Sequence, residues 1–431
     1  MTDLLMSGAT ASPGAIAAEH KIAELRLSLM SARSNQEIAQ LRDAIFLAEQ
    51  SRSVTPDISI LKAKEHQTVT LAELQHSLSP QEAVLEYIVD DPASYCLIIT
   101  NNGHRIAKLA GKSTISTAVA AYLKEAKAKH AARAEARNLY QLLLEPIPES
   151  QTKEQLVIVR DGQLHLVPFD ALINAHGQYV LETQAVAYAP SATSFFLLRT
   201  GGRTKHPNEG LLAVGGVPYG HSNLKESAVT RGYSDTGLSD LPSSADEARV
   251  AIAALPNRLN LLLVSNKATE AAFKASTNHS TFHLAVHAVV NEIQPDRTAL
   301  VFLSDPVRGE DGFLQASEVV QLPLDADLVV LSACDTAVGP IQGEEGVETL
   351  SRAFLLAGAR TVISTLWSID DDSTLFLMKS FYSELARKKS VPYALSVAKK
   401  KMLTTFGPSK ALPYYWAGFT VEGLVPSPVQ K

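Results

Sequence analysis

Two residues with nucleophilic and basic side chains follow directly on predicted strands. The run TFHLAV leads into His287, and the run DLVVLSA leads into Cys334. A thiolate is a strong nucleophile, and a nearby imidazole can accept or supply its proton. In a parallel sheet the carboxyl ends of the strands meet at one edge, where a substrate can reach them. The pair therefore predicts thiol-dependent acyl transfer, although a histidine and a cysteine at strand ends are also common as ordinary core residues.

The sequence offers two other kinds of site, a metal site and a nucleotide site. His283 lies four residues before His287, and on an extended strand this spacing separates the imidazoles by about 13 Å, too far to share one metal ion. His283 is therefore interpreted as an interior histidine, and no metal is expected. The Gly-rich run AVGGVPYG lacks GK[ST] and the full GxGxxG spacing of nucleotide loops. It is interpreted as a tight turn, and no cofactor is expected.

Composition excludes several classes of protein. The chain has 431 residues, with 39 Lys and Arg against 45 Asp and Glu, so its formal net charge is -6. This balance argues against a direct partner that is a nucleic acid, because neutralising phosphates needs a basic face. Only two cysteines occur, Cys96 and Cys334, in no metal or disulfide pattern. With neither a secretory signal nor a long apolar run, a cytoplasmic protein without a membrane partner is expected.

The elements that must position the pair fall into three parts. Residues 15–60 are predicted to form a helical hairpin, because two short apolar stripes at helical spacing occur there. Residues 66–200 show mixed α/β patterns. After a Gly- and Ser-rich linker, strands and helices alternate over 205–425, which predicts a mostly parallel sheet flanked by helices.

Several separate motifs then resemble one family. The runs HLAVHA, LVVLSACDTAVG, EGVETLSRAFLLAGARTVISTLWSIDD and PYYWAGFTVEG resemble, in order and spacing, the CHAT-domain family of caspase-like cysteine peptidases. Upstream runs, including VIVRDGQLHLVPFDAL, are similar to the N-terminal half of that domain. The resemblance covers roughly 68–423. It implies an α/β caspase-like fold in which 66–200 is a degenerate, inactive subdomain and 205–425 is the peptidase subdomain.

The resemblance also implies roles for individual residues. Cys334 falls on the nucleophile of the family's LSACxT motif, and His287 on the histidine of its HxATHG motif. The backbone N–H groups of Ala288 and Cys334 would then form the oxyanion hole. The family usually has Gly after the histidine, where Ala288 stands. Since only Gly adopts positive φ without cost, this departure predicts a weakened or latent oxyanion hole if that conformation is required.

Three further residues are assigned to the substrate pocket: Asp335, Trp367 and Asp370. Asp335 follows the nucleophile and either faces the pocket or caps the next turn through its carboxylate. Trp367 and Asp370 follow a predicted strand and so belong to the rim of the sheet. Asp370 can equally cap the helix that begins after it.

Together these observations predict a cysteine endopeptidase that cleaves a protein or peptide substrate through a thioester, with no cofactor. The resemblance adds a regulatory partner, a sensor or helical-repeat module. The alternative is a catalytically silent caspase-like scaffold for protein–protein interaction. The residues Val286 and Ala288 favour the scaffold, and retention of both His287 and Cys334 favours the enzyme.

Overall fold

A computed structural model describes residues 69–201, 208–221, 238–290, 295–332, 346–407 and 411–425. The predicted helical hairpin at 15–60 lies outside these residues, as do Cys334 and Asp335. Residues 70–431 form one compact unit. Within the described ranges, none of the helices is both long and apolar enough to cross a bilayer.

The strands form one large and one small sheet. In chain order they are β1 (Glu82–Ile88), β2 (Ser94–Thr100), β3 (Gly103–Leu109), β4 (Gln155–Val159), β5 (Ala185–Tyr188), β6 (Asn208–Gly215), β7 (Leu261–Val264), β8 (His279–Leu284), β9 (His287–Val289), β10 (Ala299–Val301), β11 (Phe313–Gln315), β12 (Leu328–Leu331), β13 (Thr361–Thr365) and β14 (Phe419–Gly423). The large sheet has 11 strands in the order β3-β2-β1-β4-β5-β14-β13-β12-β8-β6-β7, and the small sheet has the order β11-β10-β9.

The helices lie between these strands in the sequence. They are α1 (Leu71–Ser77), α2 (Lys112–Lys127), α3 (Arg133–Leu143), α4 (Glu149–Thr152), α5 (Val180–Thr183), α6 (Ala192–Thr200), α7 (Ser244–Ala254), α8 (Glu270–Lys274), α9 (Ala316–Val319), α10 (Gly346–Ala357), α11 (Asp371–Ala386) and α12 (Val391–Thr405). Short 3₁₀ turns complete the connections, among them Phe169–Ala171 and Tyr219–His221.

Apart from β2 and β3, which pair antiparallel at one edge, the large sheet consists of two parallel halves that run in opposite directions. The strands of one half are β1, β4, β5 and β14, and those of the other are β13, β12, β8, β6 and β7. The two halves meet where β14 pairs antiparallel with β13. Because β14 comes from the end of the chain, the segments predicted as two subdomains contribute to one continuous sheet.

The small sheet corrects one expectation about the strands. The sequence predicts a single strand over TFHLAVH, and this prediction is wrong. Strand β8 ends at Leu284, and a second strand, β9, begins at His287. The N–H of Ala285 still donates to the Val214 carbonyl at 2.9 Å, so the large sheet ends there. His283 and His287 therefore lie in different sheets, because the backbone turns between them. The small sheet packs on the apolar core that β6, β8 and β12 share with α10.

A buried ion pair joins the two predicted subdomains. The Nζ atom of Lys399 in α12 contacts the Asp170 carboxylate in the 3₁₀ turn Phe169–Ala171, and both side chains are almost completely buried. Burial raises the pKa of Asp170 and lowers that of Lys399, since desolvation disfavours both charges, while their mutual attraction opposes these shifts. Removing one partner would leave a buried charge without its counter-ion.

We therefore expect Asp170→Asn to lower the free energy of unfolding by about 3–5 kcal/mol. Denaturant unfolding followed by circular dichroism measures this change. The control is Asp246→Asn, which breaks the exposed pair with Arg249 and should cost less than about 1 kcal/mol. Equal effects of the two substitutions would contradict a role for the buried pair.

Candidate active site

Two adjacent parallel strands lead toward the proposed catalytic pair. Leu284 at the end of β8 lies opposite Leu331 at the end of β12. His287 follows Leu284 by three residues, and Cys334 follows Leu331 by three residues. Since the strands are parallel and in register, both connections start from the same edge of the sheet. Cys334 and Asp335 themselves lie outside the described residues.

The ring of His287 is buried and held by a backbone carbonyl. His287 is 1% exposed, and its Nε2 lies 2.7 Å from the carbonyl oxygen of Ser239. A carbonyl can only accept, so Nε2 must carry the proton in this arrangement. In the neutral ring, Nδ1 then has the free lone pair, and within the described residues it has no hydrogen-bond partner. Nδ1 is thus the nitrogen available as a base.

The segment that carries this carbonyl, 238–243, is fixed at both ends. The N–H of Gly220 donates to Asp240 Oδ1 at 3.1 Å, and the N–H of Ser243 donates to Asp371 Oδ2 at 3.4 Å. Burial raises the pKa of the Asp371 carboxyl, while the bond from Ser243 lowers it. Sequence reasoning assigned no orienting group for His287. Ser239 could not have been found that way, because any residue type supplies a carbonyl.

Ala288 occupies the free edge of the small sheet. It lies opposite Leu300, whereas Val301 lies opposite His287. The N–H of Phe302 donates to the Gly312 carbonyl at 2.7 Å, so residues of even number on β10 face β11. Hydrogen bonding alternates along an antiparallel pair, so the N–H of Ala288 points away from β10. Its strand conformation is extended, which alanine adopts without strain.

Trp367 and Asp370 both make structural contacts at the rim. Trp367 follows β13, is 6% exposed, and donates from Nε1 to the Tyr414 carbonyl at 2.9 Å. Asp370 is the N-cap of α11, where its Oδ2 accepts from the N–H of Ser373 at 3.1 Å. The capping alternative for Asp370 is therefore seen in the structure. The assignment of both residues to a substrate pocket stays a prediction.

His283 lies in the interior, on the face of β8 that packs against α7 and α11. Its Nδ1 is 2.9 Å from the hydroxyl of Tyr382, and its Nε2 is 3.2 Å from a carboxylate oxygen of Glu247. The residue is 0% exposed. His283 thus links β8 to the two helices that also hold Asp371 and the 238–243 segment.

One cluster of potential metal ligands occurs among the described residues, formed by Glu270, Glu310 and Glu318. The Nζ atom of Lys274 lies 2.7 Å from Glu270, 2.7 Å from Glu310 and 3.1 Å from Glu318. An ammonium group thus already lies within ion-pair distance of all three carboxylates, and neither His283 nor His287 belongs to the cluster.

The geometry at Ser239 makes a direct spectroscopic prediction. We expect the neutral ring of His287 to carry its proton on Nε2, because only that tautomer can donate to the carbonyl. Nitrogen NMR of protein labelled at histidine should show an unprotonated Nδ1 for this residue. The spectrum of His287→Gln assigns the signal, and a proton found on Nδ1 would contradict the arrangement.

The chain is similar to proteins of known identity over most of its length. Tetratricopeptide repeat protein 28 of Mus musculus is 27% identical over 336 residues, and that of Homo sapiens is 26% identical over 335 residues. Each match covers 67% of this chain but only 13% of the relative. The chain thus corresponds to a small part of these proteins.

A chain of the Saccharomyces cerevisiae separase–securin complex superposes with a TM-score of 0.51 and 12% identity, covering 95% of this chain and 37% of that one. At this identity the likeness concerns the fold alone, and it confirms the predicted caspase-like α/β architecture. The sequence profile of the CHAT domain matches residues 133–423, about two thirds of the chain. The chain therefore belongs to the CHAT domain family, as its motifs predicted.

Proposed function

We propose that this chain is a cysteine endopeptidase in which Cys334 is the nucleophile and His287 the general base. The observation that carries the proposal is the orientation of His287. Its Nε2 donates to the Ser239 carbonyl, which leaves Nδ1 as the proton acceptor. His287 also lies three residues beyond β8, and β8 pairs in register with β12, the strand that leads to Cys334. Burying Nδ1 without a partner among the described residues has a cost, which a role as proton acceptor would account for.

The chemistry follows from these groups. The Cys334 thiol gives its proton to Nδ1 of His287, and the thiolate sulfur attacks the scissile carbonyl carbon. The imidazolium then protonates the leaving amine, and the acyl group stays on sulfur as a thioester. Water, deprotonated by the same imidazole, hydrolyses the thioester and regenerates the thiol. The Ser239 carbonyl keeps its bond to the Nε2 proton throughout and stabilises the charged ring.

The N–H groups of Ala288 and Cys334 are the proposed donors to the oxyanion. The outward direction of the Ala288 N–H supports this role, because a donor already bonded within a sheet could not serve a substrate. Its extended conformation, which alanine adopts without strain, also supports this role. Fixed donors of this kind contribute several kcal/mol to stabilisation of the tetrahedral intermediate.

We further propose that a helical-repeat or sensor protein regulates this activity, in keeping with relatives that are tetratricopeptide repeat proteins. A protein or peptide is the proposed substrate. Cys96, a buried free thiol, fits the reducing conditions of the cytoplasm. The second candidate is a silent scaffold of the same fold, favoured by the departures from the family motif at Val286 and Ala288.

The peptidase is tested by incubating a proteome-derived peptide library with the protein and sequencing new N-termini by mass spectrometry. We expect wild type and the control Cys96→Ala to cleave a common set of sites. Cys334→Ala and His287→Ala should each lose at least about 1,000-fold in rate, because the two groups act as a unit. Cleavage by Cys334→Ala at the wild-type rate would rule out the proposed nucleophile.

Thiol labelling separates a latent enzyme from a scaffold. Burial raises the pKa of the Cys96 thiol well above its ordinary value, so it should resist iodoacetamide at neutral pH. We expect Cys334 to react faster than a free cysteine, and His287→Ala to slow it. A wild-type protein that cleaves nothing and whose Cys334 reacts no faster than free cysteine would favour the scaffold.

A further inference from the structure

The Gly-rich run AVGGVPYG has a structural role at the candidate site. After β6 the chain turns sharply at Gly216, whose φ is +61°, and enters the 3₁₀ turn Tyr219–His221. This turn brings Tyr219 against the candidate base. The centre of its ring lies 4.6 Å from that of His287, and the residue is 5% exposed.

The hydroxyl of Tyr219 is inserted between two strands of the small sheet. It accepts from the N–H of His287 at 2.9 Å and donates to the carbonyl of Val301, also at 2.9 Å. These two backbone groups face each other across β9 and β10, and in a regular antiparallel pair they would bond directly. The phenol oxygen thus contacts both groups of this pair at the first residue of β9.

We infer that Tyr219 is a positioning residue whose hydroxyl sets where β9 begins and thereby places the imidazole of His287 and the N–H of Ala288. The inference rests on the proposed function for its catalytic consequence. The positions of the His287 imidazole and the Ala288 N–H can be measured whether or not the protein cleaves peptides.

The physical argument is that the hydroxyl is a hydrogen-bond partner of two buried backbone groups. Without it, the His287 N–H loses an acceptor and the Val301 carbonyl loses a donor, so β9 either shifts against β10 or keeps these groups less well satisfied. The 238–243 segment is held through Asp240 by the N–H of Gly220 and through Ser243 by Asp371, neither of which belongs to β9, so it would not follow a movement of β9. The bond between His287 and the Ser239 carbonyl would then be strained or lost.

The phenol suits this task because it remains neutral. Burial raises the pKa of Tyr219 far above physiological pH, since the phenolate would be desolvated. The hydroxyl can therefore donate to Val301 over the whole range in which a cysteine peptidase works. A phenylalanine keeps the ring contact with the imidazole and removes only the bridge, so Tyr219→Phe isolates the hydroxyl.

The experiment compares Tyr219→Phe with the matched control Tyr87→Phe. Tyr87 is also buried and donates to a backbone carbonyl, that of Leu143, at 2.9 Å, but it lies in the N-terminal part of the sheet. We expect Tyr219→Phe to lower kcat about 10- to 100-fold with KM within about twofold, because misplaced groups affect the chemical step. Tyr87→Phe should lower the melting temperature by a similar amount and keep the wild-type kcat.

Hydrogen exchange read by mass spectrometry provides the measurement that needs no catalysis. Peptides spanning 285–289 should exchange at least about tenfold faster in Tyr219→Phe than in wild type, and at the wild-type rate in Tyr87→Phe. Unchanged exchange there would overturn the inference. If wild type proves inactive, faster exchange still supports the placement while the proposed function fails. An active wild type whose kcat survives Tyr219→Phe would overturn the inference and leave the proposed function intact.

Discussion

The parallel pairing of β8 with β12 is the constraint on which the candidate site depends. Backbone hydrogen bonds set the register of these strands, and the match of Leu284 with Leu331 makes both end at the same level. His287 and Cys334 each follow by three residues, so equal lengths of chain leave the same edge. A shift of register by one residue would also exchange the two faces of a strand. The buried His283 and the apolar Phe282 on opposite faces of β8 make such a shift costly.

Around this edge, main-chain groups do most of the positioning. The imidazole of His287 is oriented by the Ser239 carbonyl, its N–H is held by the Tyr219 hydroxyl, and the Ala288 N–H is directed outward by the alternation of the small sheet. A neutral carbonyl orients the ring without adding a second negative charge beside the proposed thiolate. The orientation of the His287 ring therefore depends on the contacts that hold the 238–243 segment in place.

The continuous sheet gives the N-terminal strands a structural role. Strand β14 from the end of the chain pairs with β5 on one side and β13 on the other, so the N-terminal strands complete the sheet beside β13. Without them β14 would present an open edge. The buried contact of Lys399 with Asp170 adds a specific link across the same junction. The N-terminal strands thus support β14, which begins beside Trp367.

The sequence by itself determined the fold class and the family and predicted the catalytic pair, because alternating strands and helices, together with motifs in a set order, are properties of the linear chain. It could not assign Ser239 or Tyr219. A carbonyl is common to every residue, and Tyr219 lies 68 positions from the N–H that it accepts. Nor could it reveal the break between β8 and β9, since the residues LAV between the two histidines are apolar and carry no turn signal. Only tertiary structure decided these points, because they depend on hydrogen bonds between segments far apart in the chain.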